Sequence, residues 1–261
     1  MGPFRTKPPS GHRPYLVAHR GISGKAPENT LAAFGLACET AGIDMIELDV
    51  RLSSDNEVVV LHDRTLQRTS TGNGAARNYS VSEMKEFDAG SWFHPSFAAE
   101  RIPTLREVLK LVDKRLWLNI ELKSDFFFPE KSGTLEGRVL ETVRELHYEQ
   151  HVMYSSFNHR MLATMKRLCP AAVTGVLFSV ARDYGRMPSK LAERVGAEVF
   201  VCAKREVSRR VVDDARNAGL AVYVYTLNSV TNAAKMIEMG VDGILSDSAD
   251  EIVHYVKRPG V

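Results

Sequence analysis

Cysteine is scarce in this chain. Cys38, Cys169 and Cys202 are odd in number and share no metal-type spacing. A disulfide frame and a thiolate metal centre are therefore excluded, and free thiols in a reducing compartment make the cytoplasm the expected location. Long apolar runs are also missing. None approaches the roughly 18 residues that a membrane span needs, so no transmembrane segment is expected. Nor is there an excess of charge of one sign: 34 Lys and Arg against 32 Asp and Glu leave a net charge of +2. That balance gives no reason to expect nucleic acid as a partner, and any anion site must be local. Residues 1–14 are rich in Pro, Gly and basic side chains but lack the apolar centre of a secretory signal, so they read as a loose tail.

What the chain does have is a strand-then-helix rhythm over residues 15–261. Tyr15 to His19 reads as a buried strand, and Asn29-Thr30 can cap a helix running through Leu31, Phe34 and Ala37 to Gly42. Met45 to Leu52 is a second strand. After the turn cluster Ser53-Ser54-Asp55-Asn56, the run Val58 to Leu61 returns too soon for a crossover helix and predicts an antiparallel hairpin. From Arg64 to Arg101 regular period is lost, which marks an insertion with its own small cluster. Strands are then expected at 116–122, 152–156, 173–178, 199–202, 221–227 and 241–245, with helices at 105–111, 135–146, 160–168, 190–195, 209–217 and 233–239. About eight β/α units in some 250 residues fit a (β/α)8 barrel with a small inserted subdomain after the second strand and its hairpin. An open doubly wound sheet would want a third glycine that Gly21-Ile22-Ser23-Gly24 lacks at the right offset.

The chemistry sits at the strand ends. Residues i and i+2 of a strand share a face, so Glu47 and Asp49 converge while Leu48 packs on the other side. The same rule sets Asn119, Glu121 and Lys123 in one row. Apolar neighbours Met45, Ile46, Leu48 and Val50 make that strand a buried one, and carboxylates in a core demand a counter-ion. Three carboxylates with no thiolate suit a hard cation, Mg²⁺ or Ca²⁺ with Mn²⁺ as a further option, and Lys123 offers a point charge for a phosphate oxygen. The motifs His19-Arg20-Gly21 and His62-Asp63 bring two imidazoles for proton transfer. Phosphodiester hydrolysis on a metal is the reading that uses all of them. Ser155-Ser156 has no base nearby in the sequence and makes a poor nucleophile.

Taken in order, His19-Arg20-Gly21, Pro27-Glu28-Asn29-Thr30, Glu47-Leu48-Asp49, His62-Asp63, Asp88-Ala89-Gly90, Ile102-Pro103-Thr104-Leu105, Glu121-Leu122-Lys123 and Val241-Asp242-Gly243-Ile244 resemble the glycerophosphodiester phosphodiesterase family. The resemblance implies a TIM barrel and cleavage of a glycerophosphodiester to sn-glycerol 3-phosphate and an alcohol. It also implies Glu47, Asp49 and Glu121 as metal ligands, His19 and His62 as the acid–base pair, and Arg20 and Lys123 as phosphate binders. Tyr225 stands where many relatives carry a tryptophan and would line the substrate site. Glu28 is expected to support the site, by orienting Arg20 or by reaching the metal through water, although it also suits the helix N-terminus. Two other readings stay open: a lysophospholipase D, with Phe126-Phe127-Phe128 holding an acyl chain on the rim, and a non-catalytic phosphodiester-binding barrel.

Overall fold

The structure is a computed structural model in which residues 14–124 and 134–258 are described. Residues 1–13 of the expected tail and the rim candidates Phe126–Phe128 lie outside the described residues. Nine strands make one sheet among the described residues: β1 (Tyr15–His19), β2 (Met45–Leu52), β3 (Val58–Val60), β4 (Trp117–Leu122), β5 (Val152–Ser156), β6 (Val173–Leu177), β7 (Val199–Ala203), β8 (Ala221–Tyr225) and β9 (Gly243–Ser246). All neighbours pair in parallel except β3, and β1 pairs with both β9 and β2, so eight strands close into a barrel. The fold is a TIM barrel.

Helices fill the crossovers. In chain order they are α1 (Leu31–Glu39), α2 (Val81–Met84), α3 (Leu105–Val112), α4 (Thr134–Glu145), α5 (His159–Leu168), α6 (Val180–Asp183), α7 (Pro188–Glu193), α8 (Arg209–Asn217), α9 (Val230–Met239) and α10 (Ala249–Val256). Local chemistry sets their ends. Thr30 accepts from the Ala33 amide to start α1, and a reciprocal Thr104–Glu107 box starts α3. The sequence reading ran α1 on to Gly42, but Thr40 closes it two residues earlier, taking its own amide bonds back to Leu36 and Ala37. α10 had no counterpart in that reading, although Ala249, Ile252, Val253 and Val256 form a buried helical stripe.

Strand alternation divides the core. Leu16, Ile46, Leu48, Val50, Leu118, Ile120, Phe200, Val222 and Ile244 point outward into the layer under the helices. Tyr15, Val17, Met45, Trp117, Met153, Val199, Val201, Tyr223 and Leu245 fill the barrel. Along β2 and β4 that inward row turns from apolar to acidic, passing from Met45 to Glu47 and Asp49 and from Trp117 to Asn119 and Glu121. The polar end is the C-terminal end, where (β/α)8 active sites are built.

The hairpin has a clear geometric role. β1 pairs along one edge of β2 only as far as Glu47, and β3 then takes over the same edge, from the Leu61 amide on the Asp49 carbonyl (2.9 Å) to Val58 opposite Leu52. Residues from Leu61 to Ile102 form short turns and helices around a separate cluster of Leu66, Ala76, Met84, Ala89 and Ile102 with Val59 and Leu61. At the other face of the barrel Gly243 packs so closely on the Tyr223 ring that a Cβ would come within 2.6 Å of it. Gly243→Val should therefore overfill the barrel and destabilise it by about 1–3 kcal/mol. A urea midpoint equal to that of the unmodified protein would contradict this packing.

Candidate active site

Glu47, Asp49 and Glu121 meet at the C-terminal mouth of the barrel. Register explains it: Asp49 stands opposite Glu121 in the β2–β4 ladder, with Glu47 one inward step behind on β2. They are 2%, 0% and 8% exposed, and one carboxylate oxygen from each lies within 4.8 Å of the others. A buried triple negative charge is costly unless it is paired. Asp49 is held hardest. Its Oδ2 accepts from Asn29 Nδ2 at 2.8 Å and lies 3.3 Å from Arg20 Nε, while Oδ1 is 2.9 Å from Lys123 Nζ. Burial works against the Asp49 charge, but Lys123 and Arg20 outweigh it and hold this carboxyl far below the usual range. Burial pushes Glu47 and Glu121 upward instead; the charge on Asp49 adds to the shift in both, and in Glu121 Lys123 opposes it.

Lys123 Nζ also donates to Glu121 Oε1 at 2.5 Å. Arg20 leaves β1 with φ +57, followed by Gly21 at φ +83. The turn lets the Arg20 amide bond the Glu47 carbonyl (2.9 Å) and its Oε2 (3.1 Å), while the guanidinium reaches Glu28 Oε1 at 2.7 Å. Glu28 is thus ion-paired to Arg20, and although burial opposes its charge, Arg68 and Arg20 hold its carboxyl below the usual range. Only glycine fits after Arg20, since a Cβ on Gly21 would sit 2.6 Å from the Ala33 backbone and the φ is left-handed.

The imidazoles are each gripped through Nδ1. His19 Nδ1 is 2.6 Å from Asp247 Oδ1, which leaves Nε2 3.8 Å from Glu47 Oε2. Asp247 is itself fixed by Ser23 Oγ (3.1 Å) and Asn228 Nδ2 (2.7 Å). Burial disfavours charge on His19, yet Asp247 and Glu47 prevail and raise its pKa. His62 Nδ1 is 2.6 Å from Asp63 Oδ1, and its pKa is lowered by burial, with Lys123 and Arg20 adding to the effect and Asp49 opposing. Tyr225 ends β8 half-buried beside the barrel-filling cluster, with burial and then Glu206 and Glu121 raising its phenol.

Among the described residues, the sequence candidates His19, Arg20, Glu28, Glu47, Asp49, His62, Glu121, Lys123 and Tyr225 all fall at this one mouth. Two partners escaped it. Asp247 lies 228 residues from His19 in the chain and nothing local marks it, whereas Arg68, in the irregular segment, binds both Glu28 and Asp63. Asn29, read as a helix cap, instead spends its side chain on Asp49 while Thr30 caps.

Residues 19–251 match the model of the glycerophosphoryl diester phosphodiesterase family. The chain belongs to that family. This phosphodiesterase is 36% identical to a glycerophosphodiester phosphodiesterase of Caldanaerobacter subterraneus, over 94% of this chain and 98% of that one. It is 37% identical to a putative glycerophosphodiester phosphodiesterase of Bacillus subtilis, over 95% and 100%. Among solved structures, an Oleispira antarctica phosphodiesterase in complex with the product sn-glycerol-3-phosphate superimposes with a TM-score of 0.86 at 31% identity, covering 94% of this chain and 97% of that chain.

In the phosphodiesterase, Gly21→Ala should displace Arg20 from Glu28 and Asp49. The expected result is a loss of stability of about 1–3 kcal/mol from the strained backbone together with a rise in KM. A variant with unaltered KM would show that the turn does not set the Arg20 position.

Proposed function

We propose that this enzyme hydrolyses glycerophosphodiesters such as glycerophosphocholine and glycerophosphoethanolamine to sn-glycerol 3-phosphate and the head-group alcohol. The observation that carries the proposal is the pair of imidazoles, each fixed through Nδ1 by its own carboxylate, around a cluster of three buried carboxylates and two cations. A binding module has no need of such a pair.

The donor set fits a divalent cation, Mg²⁺ or Ca²⁺ with Mn²⁺ as a substitute. Glu47, Asp49 and Glu121 would hold it through oxygen alone, and three ionised carboxylates would exceed the two positive charges of Arg20 and Lys123. When bound, the ion supplies charge neutralisation for the non-bridging phosphate oxygens. The rest falls to the side chains. Arg20 and Lys123 bind phosphate oxygens from two sides. One histidine takes the proton of the substrate's free glycerol hydroxyl as its oxygen bonds to phosphorus, and the ester bond to the head-group oxygen breaks. The other histidine protonates that leaving oxygen, and water then opens the cyclic phosphate with the two roles reversed. Tyr225 offers an aromatic wall with a hydroxyl beside the glycerol moiety. No helix among the described residues is long and apolar enough to cross a membrane.

Products should be assayed with glycerophosphocholine, glycerophosphoethanolamine and a lysophospholipid, each with Mg²⁺, Ca²⁺, Mn²⁺ or chelator. Turnover of the first two should vanish in chelator and return with added metal; full turnover by a demonstrably metal-free preparation would refute the metal assignment. Faster release from the lysophospholipid than from either soluble diester would replace the proposed substrate by the acylated one.

His19→Ala and His62→Ala should each lower turnover at least about 10²-fold. The double variant should cost less than the product of the two, because groups acting as a unit are not additive. Near-normal turnover in either single variant removes that residue from the proton transfers.

A further inference from the structure

Arg68 is a residue the chemistry above does not use, yet it touches both halves of the site. Its guanidinium is spent along two edges. Nη1 and Nη2 donate to Glu28 Oε2 and Oε1, both at 2.8 Å, while Nε donates to Asp63 Oδ2 at 2.6 Å and Nη2 to Asp63 Oδ1 at 3.1 Å. Glu28 is the carboxylate that orients Arg20, and Asp63 is the one that holds His62. A continuous chain therefore runs Arg20, Glu28, Arg68, Asp63, His62, with Arg68 as its central link.

The segment that carries Arg68 is anchored independently of these bonds. Leu66 is fully buried in the small cluster, and its amide donates to the Gly74 carbonyl at 3.0 Å. Ser70 Oγ bonds the Leu66 carbonyl at 2.8 Å, and the Thr71 amide bonds the Asp88 carbonyl at 2.9 Å. Arg68 is thus presented by a fixed backbone rather than drawn into place by its partners. With its side chain 44% exposed, the ion pairs are screened by solvent and add little to stability. Their geometry is another matter, since a planar fork fixes the plane and position of both carboxylates, which an ammonium cannot do.

We infer that Arg68 is a positioning residue that couples the phosphate-binding Arg20 to the acid–base His62, so that the segment after β3 sets both at once. This rests on the roles proposed above for Arg20 and His62. Losing the fork frees Asp63 to rotate, loosening the His62 tautomer and orientation, and frees Glu28 to release Arg20. The first change bears on kcat and the second on KM. A side chain that only stabilised the loop would alter the thermal midpoint and leave the two parameters unlinked.

The test is steady-state kinetics on glycerophosphocholine at saturating Mg²⁺ for Arg68→Ala, Asp63→Asn, Glu28→Gln and the two double variants containing Arg68→Ala. Asp63→Asn should act mainly on kcat and Glu28→Gln mainly on KM, whereas Arg68→Ala should move both, lowering kcat/KM by about 10–100-fold, as removal of an orienting partner does. In either double variant Arg68→Ala should add less than about 3-fold to the parameter its partner has already changed, because the link is already cut. Thermal midpoints should stay within about 4 °C. Should Arg68→Ala not fold, Arg68→Lys keeps the charge without the fork and should show the same split at the small end of that range. An Arg68 variant whose kcat and KM both match the unmodified enzyme, or single effects that multiply in the double variants, overturns the inference. His62→Ala and Arg20→Ala run alongside: if they keep normal activity, the proposed roles themselves fail, and if they lose it while Arg68→Ala does not, only the coupling fails.

Discussion

Everything at the mouth of this barrel is arranged around the charge on Asp49. It is wholly buried and ionised, and taking a lone carboxylate out of water costs several kcal/mol even after relaxation. Asn29, Arg20 and Lys123 repay that cost by occupying both of its oxygens. Arg20 is tied in turn to Glu28 and Lys123 to Glu121, while Asn29 grips Asp49 twice, its Oδ1 also accepting from the Asp49 amide at 3.3 Å. Loss of either cation would leave an uncompensated charge in the core, so the two residues proposed to bind phosphate are also what lets the acidic cluster exist.

The barrel supplies this cluster through an irregularity. A strict (β/α)8 repeat would let β1 run along the whole edge of β2. Here β1 ends at His19 in the left-handed turn of Arg20 and Gly21, and β3 completes the edge. His19 and His62 thus arrive at the same strand from successive neighbours on one side, while Glu121 and Lys123 arrive from β4 on the other. The short return hairpin brings the second imidazole to the site, and the segment behind it brings Arg68.

Most of this architecture was legible in the sequence. β-branched and apolar runs located β1, β2, β4 and β5 to within a residue, because burial on both faces leaves few other readings for such runs. The inward row of Glu47 and Asp49 followed from strand period alone. The C-terminal helix α10 was missed although its buried stripe is regular and Ser248 stands three residues before Glu251, the spacing of a capping box; in the structure Ser248 itself forms no side-chain cap. Asp247 and Arg68 were illegible for a different reason. One sits in a Ser-Asp-Ser turn and the other in an irregular polar segment, and each acquires meaning only through a partner at long sequence distance. Local pattern finds residues that act on their own strand; it does not find those that act by holding another.

The three buried carboxylates are proposed as the metal centre of this phosphodiesterase. An anomalous-scattering map from a crystal soaked in Mn²⁺ tests it without reference to turnover. One strong peak bounded by Glu47, Asp49 and Glu121 is expected, lost in an Asp49→Asn crystal of the same form. A peak elsewhere with none among these three side chains, at saturating Mn²⁺, would contradict it.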